Sequence, residues 1–231
     1  MIDAHCHVLP GMDNGCKTPE EAEQLLRTLY KQGVDTVIAT PHFYRDKEDP
    51  DSFLRRRQAA LESIRYDKSC MPKIILGAEV SYFFGMCHSR SLHKLCVEGT
   101  RVLMVEMPFR AWSSKQVASV CALQSFQGVM PVLTHVEQYR KRRQFFCYRS
   151  KLSEQGVCFQ SNAHVFTNPF CRLWARWLIK KGDVHLLGSG AHTSSEVKMA
   201  AAACAIRRRY GKHALGRIRA ISRGILQLKA R

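Results

Sequence analysis

The first seventeen residues, MIDAHCHVLPGMDNGCK, carry two imidazoles, at His5 and His7, within a short apolar segment. In an extended chain, residues i and i+2 point to one face, so both rings can converge on one point. Asp3 shares that parity, and a turn containing an acid, Asp13-Asn14-Gly15, follows closely. Hydrogen-bonded strand histidines and a transition-metal site are both compatible with these residues taken alone.

More ligand-type residues follow the other apolar runs. His42 comes after DTVIAT, Glu79 after KIILGA, Glu106 after RVLMV, His135 after VMPVLT, Asn162 after VCFQS and His192 after HLLGSGA. In parallel α/β folds the carboxyl ends of the strands open on one mouth, where sites are built. Five histidines and two glutamates placed this way, with no thiolate at a strand end, suit Zn, Mn or Fe in nitrogen and oxygen coordination. Seven donors exceed the needs of one ion, so two or three divalent ions are expected. Such ions lower the pKa of water and clamp the oxygens of a transferring phosphoryl group, which points to phosphoester hydrolysis.

The elements that must position these residues alternate along the chain. Thr18 caps a helix with Pro19 in its first turn, Ala22, Leu25, Leu26, Leu29 and Tyr30 form its apolar stripe, and Gly33 ends it. Further helices are expected over about 51–66, 114–127, 140–155 and 168–181, with two more after the last strand. The strands between them are short and continuously apolar. This pattern means an α/β fold with a parallel sheet, open or closed into a barrel. No linker, repeat or low-complexity segment divides the 231 residues, so one domain over 1–231 is expected.

The chain holds 36 Lys and Arg against 19 Asp and Glu, a net charge of +17. Such a balance favours polyanionic partners: nucleic acid, an anionic membrane surface or phosphorylated substrates. No zinc-finger spacing, aromatic RNA-binding motif or helix-turn-helix is present, so no specific nucleic-acid partner is expected. There is no membrane-length apolar run and no signal-like start, so the expected location is cytoplasmic, with a peripheral position at the inner membrane surface left open. Ten cysteines without a C-x-x-C pair read as reduced thiols, with Cys121, Cys158 and Cys204 inside apolar patterns. His88, His93, His164, His185 and His213 fall off the strand ends and read as structural, as do Trp174 and Trp177, three residues apart on one helix.

The motifs IDAHCH, GMDNG, TPEEAEQLLRTLYKQGVDTVIATPHF, ILGAEV, LMVEMPF, PVLTHVEQY, FQSNA and HLLGSGAH occur in order over nearly the whole chain. Together they resemble the PHP (polymerase and histidinol phosphatase) superfamily, and more narrowly the bacterial capsule- and exopolysaccharide-associated tyrosine phosphatases. The resemblance implies a distorted (β/α)7 barrel with three metal ions, most often Mn. It implies hydrolysis of phosphotyrosine on a membrane tyrosine autokinase by a metal-activated water, without a phosphoenzyme. Carried over by motif, one site uses His5, His7 and Glu79, and a second uses Glu79, Glu106 and His135. The third uses His42 and His192 with a carboxylate from the turn, Asp13 or the carbonyl of Asn14. His42, Glu106, His135 and His192 are the implied catalytic set.

Four positions depart from the family pattern. Asn14 stands where the family has Asp, Gly190 where it has a metal-binding Asp, and Gln138 where it has a phosphate-binding Arg. The arginine expected shortly after His192 is also missing. Arg140 is then the phosphate-binding candidate. Three readings follow: an active tyrosine phosphatase; a catalytically impaired pseudophosphatase that binds phosphorylated or acidic partners; and a metal hydrolase for small phosphoesters or nucleic acid. Self-association is left open.

Overall fold

The structure is a computed structural model that describes residues 1–142 and 144–227, apart from the side chains of residues 140–144. The first half holds β1 (Ile2–Cys6), α1 (Pro19–Lys31), β2 (Thr36–Ala39), β3 (His42–Phe43), α2 (Pro50–Glu62), β4 (Lys73–Leu76), β5 (Glu79–Ser81) and β6 (Val102–Glu106). Then come α3 (Ser114–Cys121), α4 (Leu123–Gln127), β7 (Met130–Leu133), α5 (Gln144–Glu154) and β8 (Cys158–Asn162). The chain continues through α6 (His164–Thr167), α7 (Arg172–Lys181), β9 (Leu186–Gly188), α8 (Met199–Tyr210) and α9 (Lys212–Leu226).

All strand pairs are parallel, in the orders β1-β2-β4 and β3-β5-β6-β7-β8-β9. The strand path β2–β3 is interrupted at Thr40-Pro41, and β4–β5 at Gly77-Ala78. Hydrogen bonds nonetheless carry across, from Gly77 N to Ala39 O at 2.8 Å and from Glu79 N to Pro41 O at 2.9 Å. The two outer paths also meet. Gly190 N donates to His5 O at 2.8 Å, His7 N donates to Ala191 O at 3.1 Å, and Cys6 bridges Ala191. Seven strand paths thus curl into a distorted β/α barrel ringed by helices.

Alternation along the strands sorts two cores. Ala4, Ile38, Val102, Met104, Val132 and Leu186 pack inside the curl, joined by Ile225 from α9. The opposite faces, including Cys6, Val37, Leu103, Val105, Leu133 and Phe159, pack against the helices. A register irregularity between Asp3 and Cys6 in β1 lets Ala4 join the inner cluster while His5 and His7 also turn toward the mouth.

The helices follow the sequence closely at their starts. Thr18 Oγ1 accepts from Glu21 N at 3.4 Å, and Gly33 adopts φ +79° just past α1, where only glycine is unstrained. Four expected helices are shorter or divided, the first being α2, which ends at Glu62 rather than near 66. The 114–127 helix bends at Ala122, where ψ is −10°; α5 begins at Gln144 after a 3-10 segment, Val136–Arg142; and Pro169–Cys171 forms a separate 3-10 turn before α7. All ten cysteines are free thiols. Cys204 lies exposed on α8 rather than inside the apolar pattern expected of it, because its helix turns the apolar side toward Ala202 and Ile206.

Trp174 and Trp177 stack at 4.9 Å with 9° between their planes, packing α7 against Phe145 and Phe146 of α5. Tyr139 is buried, and its hydroxyl accepts from Met107 N at 2.9 Å, just past the end of β6. Tyr139→Phe leaves that amide without its partner. It should cost about 1–3 kcal/mol in urea unfolding, as expected for a buried donor left unsatisfied.

Candidate metal centre

Glu79 opens β5 and is almost fully buried, with imidazoles on several sides. Its Oε2 lies 3.6 Å from His5 Nε2, 3.5 Å from His7 Nε2 and 3.4 Å from His42 Nδ1. Its Oε1 lies 2.9 Å from His135 Nε2, which is also 3.3 Å from Glu106 Oε1. His42 Nδ1 is 3.9 Å from Glu106 Oε2. The barrel therefore brings His5, His7, His42, Glu79, Glu106 and His135 into one cluster from five different strand ends. Ladder pairing explains the convergence: His42 pairs with Glu79, and Ser81 with Glu106, across neighbouring parallel strands.

A surrounding layer of polar groups fixes the rings. Asp13 Oδ2 holds His7 Nδ1 at 2.8 Å and also accepts from His42 N at 2.9 Å, so His7 presents Nε2 to the cluster. Thr40 Oγ1 meets His5 Nδ1 at 3.0 Å, which likewise leaves Nε2 facing Glu79. Ser81 Oγ donates to Glu106 Oε2 at 2.8 Å. His135 has φ +35°, unusual for a non-glycine residue, and its backbone N–H is held by Gln160 Oε1 at 2.6 Å. Gln160 Nε2 in turn donates to Asn162 Oδ1 at 2.8 Å.

The electrostatics follow from burial and proximity. Burial pushes His5 down to about 3, so this ring is neutral, as a ligand must be. Burial opposes charge on His135, yet Glu106 and Glu79 prevail and raise it to about 10. His7 is raised because its Asp13 hydrogen bond and the Glu79 charge outweigh burial; Asp13 and Glu79 are correspondingly held well below the carboxylate range. Burial raises Glu137 to about 7; it accepts from Ser161 Oγ and Asn162 N instead of joining the cluster.

Divalent cations fit this donor set. Both Glu79 oxygens, His42 Nδ1, His135 Nδ1 and His192 Nε2 are buried without an aligned hydrogen-bond partner. Buried polar atoms left in that state are rare unless something else satisfies them. Two groupings have donor atoms within 4.8 Å of one another: His5, His7 and Glu79, and His42, Glu79 and Glu106. Glu79 is common to both, the position of a bridging carboxylate.

Several sequence expectations are rearranged. His42 stands with Glu79 and Glu106 rather than heading a third group with His192. His192 meets the His7 ring at 4.3 Å and belongs to neither donor grouping among the described residues, and burial lowers its pKa. Asn14 lies exposed, while Asp13 is engaged in orienting His7; the third grouping is not assembled among the described residues. Asp3 is buried and its Oδ1 accepts from His5 N and Ser189 N; burial raises it to about 6. Gly190 has φ +58°, and a side chain there would collide with the Asn162 amide. The side chain of Arg140 lies outside the described residues. Sequence reasoning missed Thr40, Ser81, Gln160 and the aromatic rim of Tyr44, stacked on His42, and Phe109, stacked on His135. A signal existed for Gln160, which shares Asn162's parity as a polar residue on an otherwise apolar strand.

A family model described as "Capsular polysaccharide synthesis, CpsB/CapC" matches residues 1–223. The chain belongs to the CpsB/CapC family. Tyrosine-protein phosphatase YwqE of Bacillus subtilis is 26% identical over 197 residues, covering 83% of this chain and 77% of that one. Tyrosine-protein phosphatase CpsB of Streptococcus pneumoniae is 25% identical over 202 residues, covering 83% of each. A solved structure from work on YwqE and CpsB, described as "unique metal-dependent tyrosine phosphatases", superposes with a TM-score of 0.85 at 20% identity, covering 100% of this chain and 96% of that one. The lactonase Lmo2620 of Listeria monocytogenes shares the fold more distantly, with a TM-score of 0.53 at 10% identity and coverage of 94% and 91%.

In this CpsB/CapC member the two unusual residues are expected to behave oppositely to Asp13. Asp13→Asn should weaken metal loading about 10–100-fold, as expected for loss of a carboxylate that orients a liganding histidine, whereas Asn14→Ala should leave it nearly unchanged. Metal content after dialysis against graded chelator separates the two. Gly190→Asp should lower stability by roughly 1–3 kcal/mol, from left-handed strain and the Asn162 collision, and should gain no metal. Urea unfolding of the metal-free protein gives that value, and adding Asn162→Gly should recover part of it. Protons held on His7 and His135 must leave when a cation binds, so affinity should rise with pH and loading near neutrality should release protons. A pH-indicator titration with Mn measures that release; none would contradict the raised pKa values.

Proposed function

We propose that this CpsB/CapC member is a metal-dependent phosphotyrosine-protein phosphatase, a single catalytic domain acting in capsular or exopolysaccharide synthesis. The observation that carries this reading is Glu79, shared by two donor groupings at the floor of an aromatic-rimmed mouth. Divalent ions, Mn by preference, would supply Lewis-acid charge and an acidified water when bound here. His5, His7 and Glu79 would hold one ion, and His42, Glu79 and Glu106 the other, with His135 beside Glu79 and Glu106. The chain's remaining task is to hold these groups still and to admit an aryl phosphate.

The rim suits an aromatic leaving group. Phe109 is half exposed and stacks on His135 with centroids 5.7 Å apart and 23° between planes. Tyr44 stacks on His42 at 5.4 Å and 24°. A phosphotyrosyl ring entering between them finds apolar faces while its phosphate reaches the cluster. His192, whose buried Nε2 has no partner beside the His7 ring, would hydrogen-bond a phosphoryl or leaving oxygen that reaches it. The substrate would be a phosphotyrosyl protein, a membrane tyrosine kinase being the partner implied by the resemblance, and the reaction would take place in the cytoplasm.

The pseudophosphatase alternative prompted by Asn14 and Gly190 is not supported. Neither residue belongs to the two donor groupings, and the named relatives are phosphatases. Hydrolysis of a phosphotyrosyl peptide in Mn buffer tests the proposal. His135→Ala should reduce kcat at least about 100-fold. Phe109→Ala should raise KM for the peptide several-fold with a smaller effect on kcat, while leaving KM for a phosphoseryl peptide unchanged. Equal rates for the wild type and His135→Ala would refute the reading.

A further inference from the structure

The net charge of +17 is not spread evenly. No acidic residue occurs from Asn168 to Lys181, and none follows Glu196, whereas these stretches carry Arg172, Arg176, Lys180 and Lys181, then Arg207, Arg208 and Arg209, and further basic residues in α9. The folded chain brings these stretches together. Arg172, Arg176, Lys180 and Arg209 line one shallow groove of ≈ 610 Å³ between α7 and α8, with Leu173, Ile179 and Tyr210 as its apolar part. Arg217 of α9 donates to Ile179 O at 3.2 Å, drawing that helix alongside α7.

Two large apolar side chains stand out of this basic face. Phe170 is 89% exposed and Leu173 is 82% exposed. They are not on a loose segment: Asn168 Oδ1 accepts from Phe170 N at 2.9 Å, Pro169 stiffens the turn, and Trp174 and Ala175 anchor α7 from beneath. Phe170 and Leu173 also lie where the chain leaves the carboxyl end of β8 and enters α7, so they stand toward the end of the barrel that carries the metal ligands.

We propose that the α7–α8 face docks on an anionic lipid bilayer, with Phe170 and Leu173 entering the headgroup region and the surrounding arginines and lysines meeting lipid phosphates. Charge of one sign across several helices, with no acidic residue interspersed, complements a uniformly negative plane. A protein partner would more typically be matched by mixed charges that set its register. Projecting rigid hydrophobes within a cationic ring add the insertion that charge alone does not supply. Docked this way, the mouth with Glu79 would lie close to the membrane surface.

The test is co-sedimentation of the metal-loaded protein with vesicles of phosphatidylcholine alone, or with about one-third phosphatidylglycerol, at low and high salt. The wild type should bind only the anionic vesicles, and less at high salt. Phe170→Ser/Leu173→Ser should lose roughly tenfold or more in vesicle affinity. Arg172→Glu/Arg176→Glu should lose at least as much. All of these variants should keep the wild-type rate on a small soluble aryl phosphate, which separates failure of docking from failure of the phosphatase reading. Absence of wild-type binding, equal binding by the variants, or conversion of a dimer to a monomer by the Ser variants with lipid binding unchanged would each overturn the proposal.

Discussion

A carboxylate buried in an apolar barrel is costly unless opposite charge or hydrogen bonds compensate it, and Glu79 is such a group. Its two oxygens are approached by His5, His7, His42 and His135, yet neither has an aligned hydrogen bond. The site is thereby left dependent on cations or protons. Much of the surrounding architecture can be understood as bringing neutral or protonated imidazoles to this one side chain. The strand path is interrupted just before Glu79, strand alternation puts His5 and His7 on one side, and parallel pairing sets His42 beside Glu79.

Orientation is the second requirement, and it is met by residues that never face a ligand. Asp13, Thr40, Ser81 and Gln160 each occupy the outer side of one member of the cluster. Gln160 has the hardest task, since it holds the backbone of His135 in a conformation that L side chains rarely adopt. The Gln160–Asn162 amide pair continues to Gly190, where the missing side chain leaves room for Asn162. A glycine that looks like a lost ligand in sequence is thus the partner of an asparagine in space. A side chain at position 190 would meet the Asn162 amide, so glycine here leaves that amide its place.

The family model and the solved structure fix the family and the fold. Two donor groupings share Glu79, and no third one is assembled among the described residues. Chemistry and surface are segregated in the same molecule. Glu79 and Glu106 are held among histidines at the mouth, while α6 to α9 carry no acidic residue and present a basic exterior.

Strand and helix alternation, the parallel sheet and the strand-end ligand types were legible in the sequence because they depend on local periodicity and on where parallel strands end. Thr18 and Gly33 marked α1 correctly for the same reason. The sequence could not decide which histidine meets which carboxylate. His42 stands with Glu106 rather than His192, and Asp13 orients while Asn14 faces solvent, because these outcomes depend on ring rotation and on a turn packed against β1 and β3. Nor could it show that Asn162 fills the space over Gly190, or that Phe170 and Leu173 project from a basic face. Periodicity reports which side of an element is apolar. Only the packed chain decides what stands opposite, since contacts between residues distant in sequence follow from how the strand paths close.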